Sequence, residues 1–188
     1  MPFSFFPSSL SGAYRIEPKI FADERGYFLE TYAQSDFSKY GIDRPFVQEN
    51  HSFSKKWVLR GLHFQSRFPQ AKLIRVLWGT VYDVIVDLRV DSPTFGQWEW
   101  VILNAEKHTE LYIPRWCAHG FLALSDTVEF LYQCDAEYDP SDHSGIRYDD
   151  PTLAIPWRDV GHAYGIHDFL LSEKDELLPS FEIYMEYP

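Results

Sequence analysis

Three cations in one stretch of this sequence are placed to hold an anion. Residues 50–82 contain six Lys and Arg and no Asp or Glu, in a chain of 188 residues with a formal net charge of -11. Arg60, Lys72 and Arg75 fall on predicted strands, where an inward-facing charge is costly unless it is paired or faces a ligand. The stretch therefore predicts a local anion site on an acidic protein.

Two histidines near this anion site could transfer protons. His63 follows Arg60 closely, and His119 lies in "IPRWCAHGF", a turn that precedes a predicted strand. A lone histidine is more often structural, but two in one pocket indicate either metal binding or acid–base work. Because Gln65 stands two residues after His63, the H-x-H pair of many metal-binding barrels is absent. The motifs of serine hydrolases, P-loop enzymes and dinucleotide-binding enzymes are absent too, so acid–base chemistry without a metal is favoured.

Short alternating runs separated by turn residues must position these side chains. In "KLIRVLWGTVYDVIVDLRV" two alternating segments flank Gly79-Thr80, which predicts a hairpin with a type II′ turn. In its second arm, alternation puts Tyr82, Val84, Val86 and Leu88 on one face and Asp83, Ile85 and Asp87 on the other. The other predicted strands are residues 26–33, 45–53, 57–65, 97–104, 109–113, 119–124 and 128–137.

Helix signals are few. Residues 33–41 predict a short helix that ends at Gly41, and residues 172–178 predict another with Ser172 as N-cap. Many short strands with few helices are typical of a β-sandwich or small barrel, and the length suits a single domain over residues 1–188.

Charge and composition exclude several classes of partner. A net charge of -11 argues against nucleic acid or an anionic membrane as the main partner. Cys117 and Cys134 lie in no disulfide or zinc pattern, so both are expected to be buried free thiols. Neither a signal peptide nor 18 consecutive apolar residues is present, which favours a soluble cytoplasmic protein.

Seven motifs together resemble one known family, in the order and at the spacing of dTDP-4-dehydrorhamnose 3,5-epimerases. The motifs are "FADERGYFLETY", "FVQENHSFS", "VLRGLHFQ", "QAKLIRVLWGTVYDVIVDLR", "YIPRWCAHGFLALSD", "YDPSDHSGIRYDDP" and "LSEKD". The resemblance runs from about residue 10 to residue 180. It implies a mainly β, cupin-like jelly roll with a few short helices, the C-terminal one packed near the pocket.

The resemblance also implies site residues and partners. It implies a nucleotide-diphosphate sugar as substrate, no metal or organic cofactor, and a homodimer that exchanges N-terminal strand contacts. His63 resembles the catalytic base, Asp175 the carboxylate that orients it, Tyr132 the proton donor on the other sugar face, and Lys72 the support for the developing oxyanion. The positions that match substrate contacts are Arg25, Glu30, Gln48, Asn50, Arg60, His119, His143 and Lys174, with Arg25 and Glu30 expected from the partner subunit.

Two features of this sequence do not fit the roles that the resemblance implies. Strict alternation puts Arg60 and His63 on opposite faces, so a bulge or twist is predicted at Gly61, the residue best able to absorb it. His143 stands where the family usually has an acidic residue, and an imidazole cannot offer a permanent carboxylate to sugar hydroxyls.

Several functions remain open from the sequence alone. A relative that inverts only carbon 5 or only carbon 3, or a ketoisomerase, would share the pocket. A non-catalytic nucleotide-sugar binding protein would need neither His63, Tyr132 nor Asp175. A metal-dependent cupin oxygenase is the remaining alternative.

Overall fold

Antiparallel strands dominate the chain. The computed structural model describes residues 2–186. Its strands are β1 (Phe3–Pro7), β2 (Tyr14–Pro18), β3 (Phe21–Asp23), β4 (Gly26–Phe28), β5 (Gln48–Lys55), β6 (Leu59–Gln65), β7 (Lys72–Trp78), β8 (Thr80–Asp87), β9 (Trp98–Asn104), β10 (Glu110–Ile113), β11 (Cys117–Ala123), β12 (Thr127–Cys134) and β13 (His143–Gly145). The helices are α1 (Gln34–Phe37), α2 (Trp157–Ala163), α3 (Glu173–Glu176) and α4 (Phe181–Glu186).

Two sheets form a sandwich. One has the order β1-β2-β10-β7-β12-β5, the other has the order β13-β6-β11-β8-β9, and β3 and β4 form a separate two-stranded hairpin. All strand pairs within these sheets are antiparallel. The predicted mainly β sandwich of cupin-like type, with few short helices, is confirmed.

Strand β8 packs against an apolar layer on each of its two faces. Val81 and Ile85 point into the apolar layer between the two sheets. Tyr82, Val84 and Val86 point the other way, into a second layer that the C-terminal segment covers with Trp157. The predicted alternation is confirmed, and both faces of the strand are buried. A strand packed on both faces holds its polar side chains in fixed positions.

The predicted hairpin at Gly79-Thr80 is wrong. Strands β7 and β8 belong to different sheets, so the chain crosses from one sheet to the other at Gly79. Gly79 has φ +84, and a Cβ there would lie 2.2 Å from the carbonyl oxygen of Thr127. Two alternating segments joined at a glycine can form a hairpin within one sheet or a connection between two sheets. The local sequence is the same in both cases, so it did not distinguish them.

The predicted short helices are confirmed. Helix α1 continues into a 3₁₀ turn that Gly41 ends with φ +79. The Ser172 side chain accepts a hydrogen bond from the backbone N–H of Asp175 and so caps α3. The strands β1, β2, β3 and β13 and the helices α2 and α4 were not predicted. No helix within residues 2–186 is both long and apolar enough to cross a bilayer.

Candidate active site

A cavity of about 300 Å³ lies between the two sheets and receives side chains from both. It is lined by Gln48, Asn50, Ser52, Arg60, His63, Phe64, Gln65, Gln70, Lys72, His119, Gly120, Phe121, Phe130, Tyr132, Tyr138 and His143. Eight of the twelve predicted site residues are in this lining. The structure therefore brings together residues that lie up to 95 positions apart in the sequence.

A bulge in β6 brings Arg60 and His63 to the same cavity. His119 pairs with His63 and Phe121 pairs with Arg60, so β6 uses one more residue than β11 over this interval. Gly61 has φ +112, and a Cβ on it would lie 2.6 Å from the Cα of Gly120. The predicted irregularity at Gly61 is confirmed, because only a glycine fits the backbone conformation and the close approach of β11.

His63 is held by a carboxylate from the C-terminal segment. Its Nε2 lies 2.6 Å from Oδ1 of Asp175, which is buried at the start of α3. A carboxylate can only accept, so Nε2 carries the hydrogen and Nδ1 is left as the basic nitrogen. Burial raises the pKa of Asp175, but hydrogen bonds from His63, Gly61 and Ser172 outweigh it and hold that pKa below its usual value. Asp175 is thus an anion that fixes the tautomer of His63.

A second histidine–carboxylate pair lies deeper. Nε2 of His119 is 2.8 Å from Oδ2 of Asp83, and both residues are buried. Burial raises the pKa of Asp83, while His119 and Lys72 act against that rise. Asp83 was not among the predicted site residues. The signal that could have found it is a carboxylate on the same face of β8 as Ile85, directly before the apolar run Val84–Val86.

Lys72 is a buried cation at the floor of the cavity. Its Nζ lies 3.5 Å from the carbonyl oxygen of His63. Burial lowers the pKa of Lys72, and the nearby Cys134, Asp83 and Cys117 oppose that change. Both cysteines are free and buried, as predicted. Burial raises the pKa of the Cys117 thiol to about 12 and of the Cys134 thiol to about 11, so both stay protonated near neutral pH.

Tyr132 enters the cavity from the other sheet. It lies on β12, where it pairs with Asn50 of β5 and Ile74 of β7. Burial raises the pKa of its phenol, and the charge of Arg60 partly opposes the rise. Tyr132 therefore keeps its proton at neutral pH and can donate it.

Arg60 lines the cavity and is held there by two hydrogen bonds to β5. Its Nε donates to the Ser54 hydroxyl at 3.1 Å and its Nη2 donates to the Phe53 carbonyl oxygen at 3.1 Å. Arg75, the third strand cation, points to the outer face of its sheet and pairs in register with Glu110. Of the three cations, Arg60 and Lys72 reach the cavity and Arg75 does not.

Polar side chains from β5 and from the chain between β12 and β13 also line the cavity. Nε2 of Gln48 donates to Oδ1 of Asn50 at 2.9 Å, and Oε1 of Gln48 accepts the backbone N–H of Tyr138 at 2.8 Å. His143 lies here too, with its ring centroid 5.0 Å from that of His63. Tyr138 and Gln70 were not predicted, since both lie on loops without a strand or helix pattern.

Four predicted site residues lie outside the cavity lining: Asp175, which contacts His63 from behind it, and Lys174, Arg25 and Glu30. Lys174 is exposed beside Asp175 on α3. Arg25 is exposed at the turn of the β3–β4 hairpin, where it forms an ion pair with Asp23, and Glu30 is exposed just after β4. Within one chain, neither Arg25 nor Glu30 is part of the cavity lining.

The described residues, 2–186, contain no group of three or more His, Cys, Asp or Glu arranged to hold a metal ion. The lining contains no Asp or Glu, and the two nearby carboxylates, Asp175 and Asp83, each pair with a histidine. Arg60 and Lys72 form no salt bridge within the described residues. The charge of the cavity thus favours an anionic ligand.

Comparisons with known proteins agree over nearly the whole chain. A family model described as dTDP-4-dehydrorhamnose 3,5-epimerase matches residues 7–182. The enzyme of that name from Methanothermobacter thermautotrophicus is 47% identical over 173 residues, which is 92% of this chain and 91% of that protein.

Solved structures give the same likeness. The crystal structure of dTDP-4-dehydrorhamnose 3,5-epimerase from Elizabethkingia anophelis matches with a TM-score of 0.90 and 41% identity, over 97% of this chain and 98% of that one. The dTDP-6-deoxy-D-glucose-3,5-epimerase from Legionella pneumophila, solved in complex with dTDP-4-keto-L-rhamnose, matches with a TM-score of 0.85 and 42% identity, over 95% and 98% of the two chains.

Proposed function

The chain belongs to the dTDP-4-dehydrorhamnose 3,5-epimerase family, which is a family of isomerases, and we propose that it inverts carbons 3 and 5 of a dTDP-linked 4-dehydro-6-deoxyglucose-type sugar. The observation that carries the proposal is that His63, oriented by Asp175, and Tyr132 enter one cavity from opposite sheets. An epimerase needs a base and an acid on opposite faces of one ring.

The chemistry needs no cofactor. In a 4-keto sugar, carbons 3 and 5 both neighbour the carbonyl, so removal of either proton gives an enolate whose charge rests on the ketone oxygen. His63 accepts the proton on Nδ1, and Asp175 stabilises the imidazolium that forms. Tyr132 returns a proton from the other face, which inverts the centre.

Lys72 supports the oxyanion. Within residues 2–186 the buried Lys72 ammonium forms no salt bridge, and few water molecules screen its charge, so it interacts strongly with charge that develops on the ketone oxygen. Arg60 holds the diphosphate at the wall. Gln48, Asn50, His119, His143 and Lys174 contact the rest of the nucleotide sugar.

The active form is a homodimer. The β3–β4 hairpin exposes Phe21, Tyr27 and Phe28, and a large apolar surface of this kind is typical of an interface. Arg25 and Glu30 lie at this hairpin, away from the cavity of their own chain. In a dimer the hairpin brings both residues to the partner's substrate, so substitution of Arg25 should weaken substrate binding without changing the isolated fold.

Hydrogen exchange with solvent tests the reaction. The protein is incubated in heavy water with dTDP-4-keto-6-deoxyglucose, and NMR reports which carbons gain deuterium and which invert. Deuterium with inversion at both carbons 3 and 5 supports the proposal. Exchange at a single carbon would assign a 3-only or 5-only epimerase, migration of the keto group would assign a ketoisomerase, and tight dTDP binding without exchange would assign a binding protein. Stoichiometric iron or zinc by elemental analysis would contradict the metal-free mechanism.

A further inference from the structure

His143 and His63 form a pair of imidazoles at the cavity. In the β13–β6 pairing, His143 is opposite Gln65 and Gly145 is opposite His63. His143 and His63 are therefore diagonal neighbours on one face of the sheet. The two rings lie beside each other, with centroids 5.0 Å apart and planes at 52°.

The surroundings of His143 disfavour a charged ring. Within residues 2–186 its Nε2 is buried and has no hydrogen-bond partner. In an imidazolium both ring nitrogens carry hydrogen, so a protonated His143 would bury a charged donor without an acceptor.

Most of the charged and titratable groups around His143 also disfavour its cationic form. His63 on β6, Lys174 on α3 and Lys72 on β7 disfavour its cation, and Asp175 alone favours it. The Tyr138 ring packs edge-on against the His143 ring, with centroids 6.3 Å apart. Burial is the largest cause that lowers the pKa of His143, and His63 is the next.

We propose that His143 is a positioning residue that acts through His63: it fills the site beside the base with a neutral ring, so that only His63 of the pair takes up a proton. A carboxylate at this place would attract the proton to His63 and hold the base in its protonated, inactive form at a higher pH. The neutral ring thus extends epimerisation toward mildly acidic pH. This inference rests on the proposed role of His63 as the base.

NMR titration of the histidine rings tests the pair without any substrate. The expected result is that His143 titrates below the usual histidine value in the natural chain, and that His143→Gln changes the His63 midpoint by no more than about 0.3 pH unit because one neutral side chain replaces another. His143→Glu should raise the His63 midpoint by about one pH unit, the size expected for a charge about 5 Å away under partial screening. His143→Asp repeats the test if the Glu variant does not fold.

The matched control is His162→Gln, which changes an exposed histidine on α2. It should move neither midpoint. A rise of the His63 midpoint by more than half a unit in His143→Gln would show that His143 is charged in the natural chain, and an unchanged midpoint in both acidic variants would show that the rings are not coupled. Either result overturns the proposal.

Turnover separates this inference from the proposed function. The acid limb of the kcat/KM profile should move with the His63 midpoint in His143→Glu and stay in place in His143→Gln. If no dTDP-4-keto sugar exchanges hydrogen in the natural chain, the proposed function fails, while the ring titrations still decide whether His143 sets the protonation of its neighbour.

Discussion

His63 and Tyr132 reach the same cavity from opposite sheets, one on β6 and the other on β12. Facing sheets of a sandwich pack about 10 Å apart, which leaves room for one pyranose ring between the side chains of the two strands. The architecture therefore puts the proposed base and the proposed acid on opposite sides of the cavity, which is the geometry that inversion of a carbon centre requires.

The orienting carboxylate can be tested by Asp175→Asn. An amide can still hydrogen-bond to His63, but it neither fixes the tautomer nor stabilises the imidazolium, so kcat should fall by about 10²–10⁴-fold. Steady-state kinetics measures the loss, and dTDP affinity should stay within a few-fold. A kcat within about threefold of the natural chain would contradict the role of Asp175.

The bulge at Gly61 should tolerate no side chain. Gly61→Ala combines φ +112 with a Cβ that lies 2.6 Å from the backbone of both His119 and Gly120, and it should reduce the free energy of unfolding by about 2–4 kcal/mol. Gly165→Ala is the control, since it has φ +69 but no atom within 4 Å of the added Cβ. It should lose about 1 kcal/mol. If urea unfolding shows the same loss of unfolding free energy in Gly61→Ala and Gly165→Ala, the close contact with β11 does not contribute.

Lys72 should set the alkaline limb of the pH profile. Burial lowers the pKa of Lys72 and raises that of Tyr132, so we assign the alkaline limb to loss of the Lys72 ammonium. Activity should therefore fall at a pH below the usual lysine value. Lys72→Met should reduce kcat by about 10²–10³-fold. In Lys72→Arg, whose cation persists above pH ~12, the residual activity should show no such limb, and an unchanged alkaline limb would exclude Lys72 as its source.

Glu110 should make stability depend on pH. It is buried on the outer face of its sheet, within residues 2–186 its Oε2 has no hydrogen-bond partner, and burial raises its pKa to about 8 while Arg75 opposes the rise. A raised carboxyl pKa means that the folded state keeps a proton which the unfolded state has released. Stability from this group is full below the unfolded value near 4.5 and is lost as the pH rises toward 8.

Glu110→Gln removes that dependence. The variant should match the natural chain at pH 5 and exceed it by about 1–3 kcal/mol at pH 8 in urea unfolding. Glu106→Gln, an exposed neighbour on the same connection, should change neither value. If Glu110→Gln is no more stable than the natural chain at pH 8, the carboxylate has a partner in the assembled protein.

Local sequence predicted the parts of the fold that depend on alternation and caps. The two faces of β8, the end of α1 at Gly41 and the Ser172 cap all rest on patterns within a few residues. The inter-sheet corner at Gly79 and helix α2, anchored by buried Trp157, depend on contacts with distant strands. Those contacts leave no pattern in the local sequence. The connection at Gly79 was therefore predicted wrongly as a hairpin, and helix α2 was not predicted.

The candidate site shows the same division. Strand alternation puts Arg60 and His63 on opposite faces, whereas the family resemblance puts both in one pocket. This conflict predicted the irregularity at Gly61, and the structure contains it. The pairing of Asp83 with His119 depends on the register of β8 against β11, which no single strand reveals. Arg75 looked equivalent to Lys72 by sequence, yet its odd offset from Lys72 places it on the other face of β7.

The most direct measurement of the central claim compares His63→Asn with Tyr132→Phe in heavy water, with NMR following deuterium and configuration at carbons 3 and 5. Without the base, His63→Asn should show neither exchange nor inversion while dTDP affinity stays within a few-fold. Without the opposing acid, Tyr132→Phe should let His63 remove a proton and return deuterium to the same face, so the substrate gains deuterium and keeps its configuration. Inversion at the natural rate in Tyr132→Phe, or exchange that persists in His63→Asn, would contradict the assignment of base and acid to opposite sheets.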